Sequence, residues 1–142
     1  MHTRLYRCLR LLGILAAMVG PALAAPGEEQ SDAKQNWTAP AGVAQKQNPV
    51  AVNASSLAAG EKIYVKRCAA CHGQKGNGDG PDAVDLGLHP AKFSDPKLRE
   101  ESDGALFWKI TVGKKPMPSY STRLSPTDRW NVINFLRTLA RR

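Results

Sequence analysis

Two of the three cysteines in this 142-residue chain stand three positions apart in the stretch CAACHG, residues 68–73, and a histidine follows the second directly. Two thiols at this spacing on one helical turn can reach the two vinyl groups along one edge of a porphyrin. The imidazole of His72 then lies under the iron and can bind it through a ring nitrogen. We therefore predict that Cys68 and Cys71 attach one haem c and that His72 is its first axial ligand.

Other uses of this cysteine pair fit the chain less well. A zinc site needs four ligands, and the sequence holds no second Cys pair or His pair. A thioredoxin-like redox pair belongs to a βαβ setting, and no strand pattern surrounds these residues. A disulfide is the ordinary fate of two cysteines in an oxidising compartment, but it does not explain the adjacent His72.

The first 24 residues are typical of a secretory signal peptide. Three arginines and no acidic residue precede or flank the start of the apolar run LLGILAAMVG, and Ala22 and Ala24 are the small residues before a cleavage site. The alternative is an uncleaved anchor, although ten apolar residues are few against the roughly 20 that span a bilayer. Cleavage removes Cys8 and predicts a periplasmic protein with no membrane span.

The charge of the chain favours an acidic protein partner over nucleic acid. The formal net charge is +8, from 20 basic and 12 acidic residues. Three of the basic residues lie in the predicted signal, so 17 against 12 leave +5 for residues 25–142. This mild excess predicts a basic face for docking donor and acceptor redox proteins, with Lys114 and Lys115 as candidates.

The chain after the signal divides into a leader and one domain. Residues 25–54 are rich in Ala, Gln, Pro and Asn without an apolar period, which predicts a flexible leader. Residues 55–142 are predicted to form a compact domain of 88 residues. A domain of that size builds only a marginal core by itself, and a buried haem would add apolar surface.

Three helices are predicted within the domain. The first runs from Ser55 or Ser56 to about Ala70, with Gly60 at an expected close approach of another helix. The second lies within SDGALFWKITVG, capped by Ser102 and ended by Gly113. The third lies within SPTDRWNVINFLRTLA, capped by Ser125, and carries an amphipathic stripe. A long Gly- and Pro-rich loop joins the first two.

The sixth ligand of the iron has few candidates. Met117 is the one methionine left after the signal, and Pro116 and Pro118 stiffen the segment that carries it. A thioether held on a stiff loop suits iron ligation from the face opposite His72. His89 as a bis-histidine ligand and an open sixth position are the alternatives.

These residues resemble a class I c-type cytochrome of the small bacterial kind. The resemblance covers residues 53–142 and is carried by the spaced run from Gly60 to Gly73, the GNGDGP loop, the DGALFWKITVG helix, the Met-Pro pair and the terminal helix. It implies an all-α fold of three to five helices around one covalently bound haem. It also implies that the first and last helices cross near Gly60 and Tyr64, with Phe135 and Leu136 as partners.

The resemblance further implies a hydrogen bond that orients the histidine. The carbonyl of Pro81 would accept it from the second ring nitrogen of His72, and Pro90 is the competitor because the register of the long loop is open.

The function predicted from these features is one-electron transfer. The protein is expected to be a periplasmic monohaem carrier with His/Met-ligated iron, and not an enzyme. The alternatives are a haem subunit bound permanently to a larger oxidoreductase, and a haem-based sensor or small-ligand binder.

Overall fold

The computed structural model describes residues 37–141, and the predicted signal peptide and residues 25–36 lie outside them. Within this range the chain is all-α, without a β-strand, which confirms the predicted fold class. There are seven helical segments, more than the three to five expected. Four of them are single turns of only four or five residues. The segments are α1 (Ala41–Ala44), α2 (Ala54–Arg67), α3 (Ala69–His72), α4 (Pro81–Asp85), α5 (Pro96–Glu100), α6 (Asp103–Val112) and α7 (Pro126–Leu139).

The first long helix begins at a capping box. The side chain of Asn53 accepts a hydrogen bond from the Ser56 amide at 2.9 Å, and Ser56 Oγ accepts one from the Asn53 amide at 3.1 Å. The helix ends at Arg67, three residues before the predicted end. Cys68 leaves helical geometry with φ −121°, so α3 starts as a separate turn.

The second and third long helices begin where the sequence predicts. Ser102 Oγ accepts from the Ala105 amide at 3.1 Å, and Gly113 ends α6 with φ 63°. Ser125 and Asp128 form a capping box at the start of α7, with Pro126 in the first helical position. Both helix predictions are confirmed.

Helices α2 and α7 cross at Gly60. A Cβ placed there would lie 2.1 Å from the carbonyl oxygen of Asn131 and 3.0 Å from Cβ of Phe135, so only glycine fits. One turn later Tyr64 is fully buried, and its ring lies 5.4 Å from that of Phe135. The predicted crossing and its partner Phe135 are confirmed, and Leu136 is buried in the same core.

Residues 37–54 of the predicted leader pack on the domain, and residues 25–36 lie outside the described residues. The Ser102 hydroxyl donates to the Ala44 carbonyl at 2.6 Å. The Val43 carbonyl packs against Gly104, where a Cβ would lie only 2.3 Å from its oxygen. The side-chain amide of Asn48 donates to Oδ1 of Asn134 at 2.8 Å. These contacts use backbone carbonyls and amide side chains, and such contacts leave no apolar period in the sequence.

None of the helices within residues 37–141 has the length and apolar character needed to cross a membrane.

Candidate functional site

The predicted haem-binding residues occupy the short helix α3 and the residue before it. The amides of Cys71 and His72 both donate to the Cys68 carbonyl, at 3.1 and 2.8 Å, so the three residues share one helical turn. Both cysteines are free and half-buried. Cys68 and His72 line an apolar cleft, whereas Cys71 is not among the residues that line it.

The glycine-rich loop after α3 fixes the orientation of this turn. The amides of Gly78 and Gly80 donate to the carbonyls of His72 and Cys71, at 2.9 and 3.1 Å. These bonds satisfy carbonyl groups that the end of a helix leaves without partners. A Cβ on Gly80 would lie 2.2 Å from the Ala70 carbonyl oxygen, so the loop can approach this closely only at a glycine.

The ring of His72 is oriented by a carbonyl that the sequence prediction did not name. Its Nδ1 lies 3.3 Å from the carbonyl oxygen of Ala91. The prediction for Pro81 is therefore corrected, because Pro81 is exposed at the start of α4 and lines a shallow depression elsewhere. Pro90 is also not the hydrogen-bond partner of His72, because its carbonyl packs against Gly78. A Cβ on Gly78 would lie 2.5 Å from the Pro90 carbonyl oxygen.

Phe93 holds the far end of the loop against the histidine. Its amide donates to the Gly76 carbonyl at 2.9 Å, which ties the end of the loop to its beginning. Its ring stacks on that of His72 with a centroid separation of 5.0 Å and meets Tyr64 edge-on at 6.0 Å. This return of the chain places Ala91 beside the imidazole.

Burial sets the protonation of the candidate ligands. It lowers the pKa of His72, against the opposing effect of the hydrogen bond to Ala91, so the imidazole is neutral at pH 7 and has a lone pair to donate. Burial, and then the nearby Cys71, raises the pKa of Cys68 to about 12. Cys68 is therefore a thiol at neutral pH.

Met117 lines the same cleft from a loop that follows α6. A Cβ on Gly113 would lie 2.5 Å from the carbonyl carbon of Pro118, so this glycine lets the loop fold back on the helix. The Ser119 hydroxyl donates to the Thr111 carbonyl at 2.6 Å. The Tyr120 amide donates to Ile110 at 3.2 Å, and its hydroxyl donates to the carbonyl of Arg67 at 2.8 Å.

The alternative ligand His89 lies outside this arrangement. It is exposed and is not among the residues that line the cleft. Of the two sixth-ligand candidates, the structure brings only Met117 to the same cleft as His72.

The donor set and the walls of the cleft fit a covalently bound haem. The Cys68 thiol, the His72 imidazole and the Met117 thioether line one cleft, and the rest of its wall is almost wholly apolar. Residues 37–141 contain no cluster of three or more His, Cys, Asp or Glu side chains that could hold a metal ion by themselves. The cleft is lined by Trp37, Cys68, His72, Ala91, Phe93, Leu98, Leu106, Lys109, Ile110, Met117, Tyr120, Leu124, Val132 and Leu136.

Sequence reasoning did not identify Phe93, Ala91 or Trp37 as parts of the site. Phe93 had one available signal, since it is the only aromatic residue between 73 and 101. Ala91 acts through its backbone, and Trp37 lies in the segment predicted to be flexible.

Comparisons with known proteins match this chain to cytochromes. Residues 55–136 match the family model described as cytochrome c oxidase, cbb3-type, subunit III. Cytochrome c6 of Alaria esculenta is 34% identical over 79 residues, which cover 56% of this chain and 86% of that protein. Cytochrome c6 of Gracilaria tenuistipitata var. liui is 34% identical over 83 residues, covering 58% and 72%.

Two solved structures share the fold. A chain of the Kuenenia stuttgartiensis reducing HAO-like protein complex matches with a TM-score of 0.57 and 32% identity, covering 64% of this chain and 46% of that chain. The KustC0563 c-type cytochrome matches with a TM-score of 0.50 and 27% identity, covering 56% of this chain and 95% of that one.

Proposed function

Because the chain belongs to the c-type cytochrome family described as cytochrome c oxidase, cbb3-type, subunit III, we propose that it is a periplasmic monohaem electron carrier with iron ligated by His72 and Met117. The family membership and the cytochrome c6 relatives establish a small class I c-type cytochrome and covalently bound haem c, as the resemblance implied. The observation that carries the proposal is the shared cleft of Cys68, His72 and Met117.

One haem is proposed because the chain has one attachment motif. Past residue 24, Cys68 and Cys71 are the only cysteines in the sequence. Cys68 and Cys71 would hold the haem by adding across its two vinyl groups, each S–H and C=C π bond giving way to a C–S bond at one vinyl carbon and a C–H bond at the other. Two thioether links then hold the cofactor independently of its axial ligands.

Axial ligation is assigned to His72 and Met117. The neutral imidazole of His72, held by Ala91 and stacked on Phe93, offers Nε2 as the iron ligand. Met117 offers a soft thioether, which favours ferrous over ferric iron and raises the reduction potential.

When bound, the haem supplies a one-electron ferric–ferrous couple. The apolar side chains around the cleft would keep water away from the haem, and His72 and Met117 would serve as its ligands in both oxidation states. The protein therefore needs no group that moves a proton, which suits a carrier rather than a catalyst.

The proposed partners are redox proteins with acidic docking surfaces. Lys114 and Lys115 are exposed in the loop that also carries Met117, so positive charge lies beside the cofactor site. Charges at such a surface increase the rate of encounter with an oppositely charged partner. The periplasmic location is supported by the signal-like sequence of residues 1–24.

Substitution of Met117 tests the ligation. The oxidised wild-type holoprotein should show the weak near-red band of sulfur-to-iron charge transfer, and the reduced protein should bind carbon monoxide slowly. Met117→Ala should remove the band, lower the reduction potential and open the site to carbon monoxide. His89→Ala is the matched control and should change none of the three. An intact band in Met117→Ala would contradict the assignment.

A second candidate function is a haem subunit held permanently in a larger oxidoreductase. It is favoured by the likeness to one chain of the Kuenenia complex, of which this chain spans less than half. Purification from native periplasm and membranes distinguishes the two: a carrier elutes at the size of a small protein, and a subunit co-purifies in fixed ratio with larger chains.

A further inference from the structure

Trp37 brings the leader into the wall of the haem cleft. It lies 18 positions before the first residue that matches the family model, and it lines the cleft together with Lys109. The Lys109 ammonium lies 5.1 Å from the centroid of the indole ring. The contact joins the leader to α6, the helix whose N-cap residue Ser102 also donates to the Ala44 carbonyl.

The indole N–H of Trp37 needs an acceptor. Within residues 37–141 its Nε1 is buried and makes no hydrogen bond. A buried donor without a partner destabilises the folded state, so such a group is normally satisfied by something that belongs at the site.

The charged groups beside Trp37 indicate what the acceptor is. Lys109 is paired with one carboxylate oxygen of Glu101, and the second oxygen, Oε2, is buried without a partner in the described residues. The Tyr120 hydroxyl, also in the cleft wall, already donates to the Arg67 carbonyl. Trp37 and Lys109 are therefore a neutral and a cationic donor next to each other in an otherwise apolar wall.

A haem carries two propionate carboxylates, and a buried carboxylate needs donors. Hydrogen bonds from an ammonium group are roughly twice as strong as neutral ones, and an indole N–H can donate to a second lone pair of the same group. We propose that Trp37 Nε1 and Lys109 Nζ together bind a haem propionate, which makes the leader a part of the cofactor site.

This inference rests on the covalent haem of the proposed function but not on ligation by Met117. The competing arrangement is local: Trp37 donates to Glu101 Oε2, which is also buried without a partner in the described residues, and the leader then only covers the cleft. The two arrangements predict different results when the indole N–H is removed: the vibration of the propionate changes only if Trp37 donates to it.

The test uses Trp37→Phe, which keeps an aromatic ring and removes the N–H, and Lys109→Met, which keeps the length and removes the charge. Trp108→Phe is the matched control, because Trp108 also has a buried Nε1 without a partner in residues 37–141 but does not line the cleft. Resonance Raman spectra of the holoproteins report the propionate-bending band, and haem content is measured separately from the pyridine haemochrome.

We expect this band to shift in both Trp37→Phe and Lys109→Met and to stay at the wild-type position in Trp108→Phe. If Trp37→Phe does not retain haem, Trp37→Leu, which also lacks the indole N–H, takes its place. An unshifted band in the haem-loaded Trp37 and Lys109 variants would overturn the proposal. Failure of Met117 ligation appears in the near-red band instead, so the two failures are distinguishable.

Discussion

The two segments that line the cleft hold their candidate iron ligands in different ways. On the histidine side, residues 68–80, backbone amides of the glycine loop bind the carbonyls that end α3. On the methionine side, residues 113–120, two of the anchoring bonds come from side-chain hydroxyls, those of Ser119 and Tyr120. Side-chain bonds are easier to lose than a backbone network, so the methionine side is the one that we expect to open.

Each side is held by the hydroxyl of one tyrosine, so the difference between the two sides can be tested by mutation. Tyr64 is fully buried and donates to the Gly73 carbonyl at 2.6 Å, behind the histidine. Tyr120 donates to the Arg67 carbonyl at 2.8 Å and thereby fastens the methionine loop to the end of α2. The same substitution at the two positions therefore tests the two sides separately.

The largest expected effect is on the covalent attachment. Cys68→Ala with Cys71→Ala should abolish haem retention through acid-acetone extraction, and with it most of the folded protein, because a domain this small needs the apolar surface of the cofactor. Haem staining of a denaturing gel measures retention. Full retention in the double variant, made in the same host, would contradict the account of CAACHG.

A backbone clash on the histidine side should come next. Gly80→Ala would place a Cβ 2.2 Å from the carbonyl oxygen of Ala70, so the loop must move away from α3. Overpacking of this kind typically costs about 1–3 kcal/mol. Thermal unfolding of the holoprotein measures the loss. Gly42→Ala is the control, because a Cβ there meets nothing within 4 Å, and it should leave the midpoint nearly unchanged.

The tyrosine pair should separate stability from ligand exchange. Tyr64→Phe leaves a buried carbonyl without its partner and should lower the free energy of unfolding by about 1–3 kcal/mol. Tyr120→Phe should cost about 0.5–1.5 kcal/mol. Only Tyr120→Phe should speed carbon monoxide binding to the reduced protein, since it loosens the loop of Met117. Equal rates in both variants would show that the two sides do not differ in this way.

The smallest effect concerns docking. The rate of electron transfer with an acidic redox partner should fall as ionic strength rises, because salt screens the surface charges. Lys114→Gln with Lys115→Gln should lower the rate at low salt and flatten this dependence. Lys62→Gln, an exposed lysine on α2 that does not line the cleft, is the control. A salt dependence equal to that of the wild type would exclude this face of the methionine side as the docking surface.

Features that depend on near neighbours in the chain were predictable from the sequence. The Cys68, Cys71 and His72 triplet needs only one turn of backbone, and the caps at Ser102 and Ser125 need only the three residues that follow. Gly60 was also predictable, because an interior glycine weakens a helix and implies a close contact. In each case the signal lies within a few residues of the chain, although the helix that Gly60 admits, at Asn131, is distant in sequence.

Features that depend on where a distant segment returns were decided by the tertiary structure. Ala91 binds the histidine through a carbonyl that every residue possesses, 19 positions along the chain, so no residue type could identify it and Pro81 was the wrong choice. The segment 37–54 packs through carbonyls and the amides of Asn48 and Asn134, which give no periodic signal. Backbone groups carry no sequence label, and only the folded chain determines which of them meet.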